Sequence, residues 1–163
     1  RLGTAINNLA LLYQFRGRLA EAAPLYERAL AIRERAVGGD HPDVAQTLNN
    51  LANLYRDQGE FDRAEPLFRR ALAIRETTLG SDHQDVAWSL RDLGVLYTDK
   101  GDPGSALPLL ERALEIFRRA HGPDHPELAS ILTDYAAALE PLGHHEEAAR
   151  SVGEAARIEA LVE

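Results

Sequence analysis

Leu48-Asn49-Asn50-Leu51-Ala52-Asn53-Leu54-Tyr55, with Gly59 beyond it, is the stretch that decides the fold. It recurs upstream as Ile6-Asn7-Asn8-Leu9-Ala10-Leu11-Leu12-Tyr13, ahead of Gly17. Downstream it stands as Leu90-Arg91-Asp92-Leu93-Gly94-Val95-Leu96-Tyr97, ahead of Gly101. A worn copy, Leu132-Thr133-Asp134-Tyr135-Ala136-Ala137-Ala138-Leu139, precedes Gly143. The four glycines follow one another at intervals of 42 residues. A fixed period in this range marks an array of repeated supersecondary units.

Each copy encodes a helix. Leu48, Leu51, Ala52 and Tyr55 are spaced i, i+3, i+4, i+7, which makes one apolar face. Ile6, Leu9, Ala10 and Tyr13 repeat that face, as do Leu90, Leu93, Gly94 and Tyr97. The following glycine suits the left-handed position that ends a helix. A second helix follows in each unit, with Ala22, Leu25, Tyr26, Ala29 and Leu30 inward in the first. That helix is expected to run to about Val37. Ala64, Leu67, Phe68, Ala71 and Leu72 play the same part in the second unit, and Ala106, Leu109, Leu110, Ala113 and Leu114 in the third. Gly38-Gly39-Asp40-His41-Pro42 closes the first unit, with Asp40 expected as the next N-cap and Pro42 in the first turn. Pro24, Pro66 and Pro108 set the geometry near the start of each second helix. In the fourth unit Pro141 should end the first helix early. Gly153 should weaken the second, expected to reach about Val162 and to be the least stable element.

Composition narrows the functions open to this array. The chain has 163 residues and a 45% apolar content, enough for a buried core. It has no cysteine, which excludes disulfides and thiolate metal sites and fits a reducing compartment. A net charge of −8 disfavours nucleic acid and anionic membrane surfaces as partners. No apolar run approaches the roughly 20 residues that span a bilayer. Lys100 is the only lysine, and this arginine-rich usage is compatible with a GC-rich bacterial genome. No Gly-Lys-Ser/Thr phosphate loop, Gly-x-Ser-x-Gly elbow or His-Glu-x-x-His helix occurs, so no enzyme is expected. His41, His83 and His125 recur beside Asp40, Asp82 and Asp124, but on successive loops too far apart to share one ion. They read as capping and loop-packing residues, and neither metal nor cofactor is expected.

Small residues at Ala10, Ala52, Gly94 and Ala136, then Tyr13, Tyr55 and Tyr97, then Ala22, Ala64, Ala106 and Ala148, resemble the tetratricopeptide repeat. That repeat is about 34 residues long. The longer period here, with Arg-Ala-Leu-x-Ile-Arg-Glu and Gly-x-Asp-His-Pro-Asp-Val-Ala segments, is similar to the kinesin-light-chain subclass. The resemblance implies an all-α chain, a right-handed α-solenoid of stacked antiparallel helix pairs. It implies one array over residues 1–163, with repeats at about 4–45, 46–87, 88–129 and 130–163. Because Arg1-Leu2-Gly3 aligns with Asp43-Val44-Ala45, a fragment of a longer cytoplasmic protein is expected.

The resemblance also implies a concave groove lined by the first helices, binding an extended peptide or partner domain. Its residues would be Thr4, Asn7, Leu11 and Gln14, then Gln46, Asn49, Asn53 and Arg56, then Trp88, Arg91, Val95 and Thr98, and then Ser130, Thr133, Ala137 and Glu140. Asn49 and Asn53 offer donors and acceptors to a peptide backbone. Arg56 and Arg91 would pair with acidic ligand side chains. Trp88 has two readings: an anchor in the groove, or packing against the preceding loop near Val86. Asn8 and Asn50 are expected to brace helices. A chaperone-type carboxylate clamp fits poorly, because Leu11, Val95 and Asn7 stand where other side chains are wanted. The alternative to peptide capture is a spacer or sensor arm in a larger signalling ATPase or regulator. End-to-end self-association is expected from apolar ends near Leu2 and Ile6, and near Ile158 and Leu161.

Overall fold

A computed structural model describes residues 1–161. Among them the order is α1 (Leu2–Phe15), α2 (Leu19–Val37), α3 (Pro42–Asp57), α4 (Phe61–Leu79), α5 (Gln84–Asp99), α6 (Pro103–His121), α7 (Pro126–Leu139), a 3-10 turn (Glu140–Leu142) and α8 (His145–Glu159). No strand occurs among the described residues. The chain forms two compact units, Arg1–Gly80 and the part from Ser81 onward. Each holds four helices packed as adjacent pairs.

Helix ends follow the repeat. Gly17 has φ +71, and the next amide, Arg18 N–H, returns to the Tyr13 carbonyl at 2.9 Å. Glu60 to Tyr55 and Asp102 to Tyr97 repeat that closure, each at 2.8 Å. These bonds satisfy carbonyls that the last helical turn leaves unpaired, and a side chain at the glycine would be strained. The start of α3 differs from expectation. His41, not Asp40, is the N-cap: its Nδ1 accepts the Asp43 amide at 3.1 Å. His83 caps α5 and His125 caps α7 in the same way. Pro42 takes the first turn, where no donor is needed. Pro141 has the expected effect, since α7 stops at Leu139 while α3 and α5 reach Asp57 and Asp99. The α8 helix ends at Glu159, short of Val162, which lies outside the described residues.

In the first unit, Val44, Ala45 and Leu48 of α3 pack with Ala71 and Ile74 of α4, and Leu30 and Leu67 close over them. Fully burying a leucine such as Leu48 contributes about 2 kcal/mol. The small positions bring paired helices close. A Cβ on Gly94 would lie 2.7 Å from Leu110 Cγ, so α5 and α6 meet where only hydrogen fits. One expected core residue is exposed. Leu9 is 42% exposed, while its copies Leu51 and Leu93 are at 3% and 2%. The α1 helix packs against α2 and α3, whereas α3 is gripped by α2 as well as α4.

Candidate functional site

The first unit carries a cleft of about 480 Å³ between α1 and α3. Leu11, Gln14 and Phe15 form its α1 wall, and Asn50, Asn53, Arg56 and Asp57 its α3 wall. Four residues expected in the groove meet here: Leu11, Gln14, Asn53 and Arg56. The walls differ in chemistry. Leu11 and Phe15 are exposed apolar side chains, and Phe15 is 84% exposed. The opposite wall carries amides and a charge pair.

That polar wall is held in place. Tyr26 O–H donates to Gln14 Oε1 at 2.9 Å, and Gln14 Nε2 donates to Asp57 Oδ2 at 3.0 Å. Burial, with the charge of Asp57, pushes the Tyr26 phenol up to about 12, so it remains a donor. Arg56 Nη2 lies 3.5 Å from Asp57 Oδ1. Asn53 Nδ2 donates to the Asn49 carbonyl at 3.1 Å, one turn back.

The remaining expected residues fall elsewhere. Asn7 is buried and accepts a hydrogen bond from Asn50 Nδ2 at 3.2 Å, so it braces α1 on α3 instead of facing a ligand. Asn50 braces as expected, but its side chain also lines the cleft. Asn8, expected to brace, is exposed. Asn49 is half-buried and outside the lining. Gln46 is exposed at the far end of α3, where its Oε1 accepts from Arg33 at 3.2 Å. Arg33 is itself buried and also donates to the Asp43 carbonyl and to Thr47 Oγ1, at 2.5 and 2.8 Å. It ties the end of α2 to the first turn of α3.

In the second unit, Trp88 is half-buried and makes a T-shaped contact with the Phe117 ring of α6, 5.1 Å between centroids. Arg91 lies over the indole at 5.3 Å and forms an ion pair with Asp134 of α7. Arg91 and Arg56 therefore both have acidic neighbours within the fold, against the expectation that they await acidic ligand side chains. Val95 and Thr98 are half-buried, and the Thr98 hydroxyl donates to the Gly94 carbonyl at 3.2 Å.

Sequence reasoning missed Phe15 and Asp57. A signal for Phe15 existed: the same place in later repeats holds Asp57, Asp99 and Pro141, so a phenylalanine there breaks the polar pattern. Of the residues expected to drive self-association, Ile6 and Ile158 are buried, while Leu2 and Leu161 are exposed. Leu2, Leu9 and Leu12 form one exposed stripe on α1. Among the described residues there is no group of three His, Cys, Asp or Glu side chains placed to hold a metal, and no helix long and apolar enough to cross a membrane.

The tetratricopeptide repeat family model matches residues 1–77, 44–119 and 98–158. Among solved structures, BtubC (BKLC) from P. vanneervenii is similar with a TM-score of 0.90 and 31% identity. The similarity covers 99% of this chain, which spans 64% of the length of that one. A chain assigned as a Podosopora anserina kinesin light chain with nearly identical TPR-like repeats gives a TM-score of 0.79 at 27% identity, covering 99% of this chain and 76% of that one. A variant of that Podosopora anserina chain gives 0.82 at 26% identity, covering 98% of this chain and 76% of its own length. No curated protein matches.

Proposed function

This chain belongs to the tetratricopeptide repeat family, whose repeats generally serve as protein-interaction modules, and we propose that it captures a peptide segment in the α1–α3 cleft. The observation that carries the reading is Phe15, 84% exposed on the rim opposite Asn53 and Arg56. A large apolar ligand side chain would lie against Phe15 and Leu11, where burial of both partners stabilises the complex. The amides of Asn50 and Asn53 would meet the peptide backbone. The chain acts by binding, not by catalysis.

The charges of the site argue for an uncharged ligand. Arg56 stands beside Asp57, and in the second unit Arg91 pairs with Asp134. An acidic ligand would have to compete with a built-in carboxylate at each cation, and exchanging one carboxylate for another gains little. Affinity therefore rests on the apolar anchor. Selection of random peptides on the immobilised chain tests this. Enriched sequences should carry a large apolar or aromatic residue, and their affinity should change by less than about threefold when salt rises from about 0.01 to 1 M. Enrichment of acidic peptides with steep salt dependence would refute the reading. Self-association, if it occurs, would use the Leu2, Leu9 and Leu12 stripe of α1. Light scattering that stays monomeric at all concentrations would exclude it.

A further inference from the structure

Two equivalent places in the repeat hold opposite charges. Glu27 and Glu111 occupy the same position two repeats apart, and so do Arg63 and Glu147. In the first unit these residues meet around Tyr55. Its hydroxyl donates to Glu27 Oε1 at 2.9 Å and accepts from Arg63 Nη2 at 2.5 Å. The Arg63 guanidinium lies 3.8 Å over the Tyr55 ring and donates to Glu60 at 2.6 Å. The slot between the second helices α2 and α4 is thus occupied by the protein's own guanidinium, held by carboxylates and a phenol face.

In the second unit the slot lacks that cation, and its phenol comes from another repeat position: Leu139 stands at the place of Tyr55, and Tyr135 at the place of Leu51. Tyr135, 7% exposed, places its hydroxyl 3.1 Å from Glu111 Oε1 and 2.9 Å from Glu147 Oε1. A phenol carries one proton and can donate to only one of the two carboxylates. The other carboxylate faces a lone pair beside a like charge, with no arginine between them. His144, the counterpart of Glu60, has Nδ1 3.8 Å from Glu147 Oε2, beyond hydrogen-bond length. A cleft of about 760 Å³ opens at this point, with Leu114, Leu132 and Tyr135 among its lining residues. Its other charges are largely engaged. Arg118 holds Glu154 through two bonds of 2.9 and 3.0 Å, and Arg119 holds Glu115 at 2.5 Å. Arg150 also lines the cleft and takes no part in either bond to Tyr135.

We propose that this cleft is a socket for an arginine side chain of a partner protein, whose guanidinium takes the place that Arg63 fills in the first unit. Glu111 and Glu147 would each receive a charged donor beside the Tyr135 hydroxyl that now lies between them. The apolar floor would take the methylene stem. The site lies among α6, α7 and α8 and is separate from the α1–α3 cleft, so the two readings stand or fall independently.

The probe is N-acetyl-arginine amide, with N-acetyl-citrulline amide as its uncharged isostere, titrated into the isotopically labelled chain and followed by amide shifts. The arginine probe should shift amides of α6 and α8, and the citrulline probe should not. Glu147→Arg restores the first unit's residue, so it should raise the melting temperature and abolish the response. Glu111→Gln should weaken binding about tenfold, because it removes one charged hydrogen bond. Should Glu147→Arg fail to fold, Glu111→Gln decides alone. No shift with the arginine probe, equal shifts with citrulline, or undiminished binding in Glu111→Gln would each overturn the proposal.

Discussion

Helices α1 and α3 are written in the same code, yet they meet different surroundings. Leu12 and Leu54 hold one repeat position, and the first is 48% exposed while the second is fully buried. Leu2 is 60% exposed, but its copy Val44 is fully buried. The letter at a repeat position sets which way a side chain points, and the neighbouring helix decides whether it is covered. With α2 and α4 packed against it, α3 turns its free side to the cleft as a polar wall. The α1 helix, packed on α2 and α3, keeps an apolar wall in contact with solvent. The unlike walls suit the cleft to a peptide that is apolar on one edge and hydrogen-bonding along its backbone.

The largest expected effect breaks this comparison at one position. Leu54→Ala should cost about 2–5 kcal/mol in urea unfolding, because it leaves a cavity. The matching Leu12→Ala should stay within about 0.5 kcal/mol, as exposed substitutions do. Equal losses would mean that α1 is covered as α3 is. Next is Phe15→Asp, which gives α1 the residue that α3 carries at Asp57. Affinity for a selected peptide should fall by at least about tenfold, a loss of the size expected for a buried anchor, with an unchanged melting temperature.

A smaller effect extends the comparison to α5, which has Gly94 where α3 has Ala52. Gly94→Ala gains about 1 kcal/mol of helix propensity but forces a Cβ to within 2.7 Å of Leu110 Cγ. Overpacking costs about 1–3 kcal/mol, so a net loss of about 1 kcal/mol is expected in urea unfolding. A stabilised variant would mean that Leu110 yields freely. The smallest effect comes from pH. Burial pushes Tyr26 up to about 12, and burial with the Glu27 hydrogen bond does the same for Tyr55. Their folded values exceed the ordinary value of 10, so the neutral phenols' contribution is intact below pH 10. It is lost as pH rises from 10 to 12, because the unfolded chain ionises first. Thermal unfolding followed across that window should show the decline, and Tyr26→Phe should flatten part of it.

Much of the fold was legible because local signals agreed with the period. The end of α2 at Val37, Pro42 in a first turn and the early stop of α7 before Pro141 all follow from single residues. The N-cap did not, because an imidazole Nδ1 can accept a backbone amide as well as a carboxylate does, and His41 stood one place nearer the helix. The site was harder to read for a geometric reason. Asn7 bonds Asn50, Gln14 bonds Asp57 and Arg91 bonds Asp134, each pair 43 residues apart. Helices repeated along an array present the same position in the same direction, so side chains facing across them come from different positions. Aligning copies at 42 residues therefore hides the partners, which is why Asn7 read as ligand-facing and the arginines as unclaimed. Phe15 was legible in principle, as the one apolar residue ahead of a column of Asp57, Asp99 and Pro141.

The most direct test of the central claim is an amide-shift titration of the labelled chain with a peptide selected on it. The account predicts that shifts gather on Leu11, Gln14, Phe15, Asn50, Asn53 and Arg56, and that Phe15→Asp abolishes them while the fold persists. Shifts that leave α1 and α3 untouched, or that survive Phe15→Asp undiminished, would contradict it.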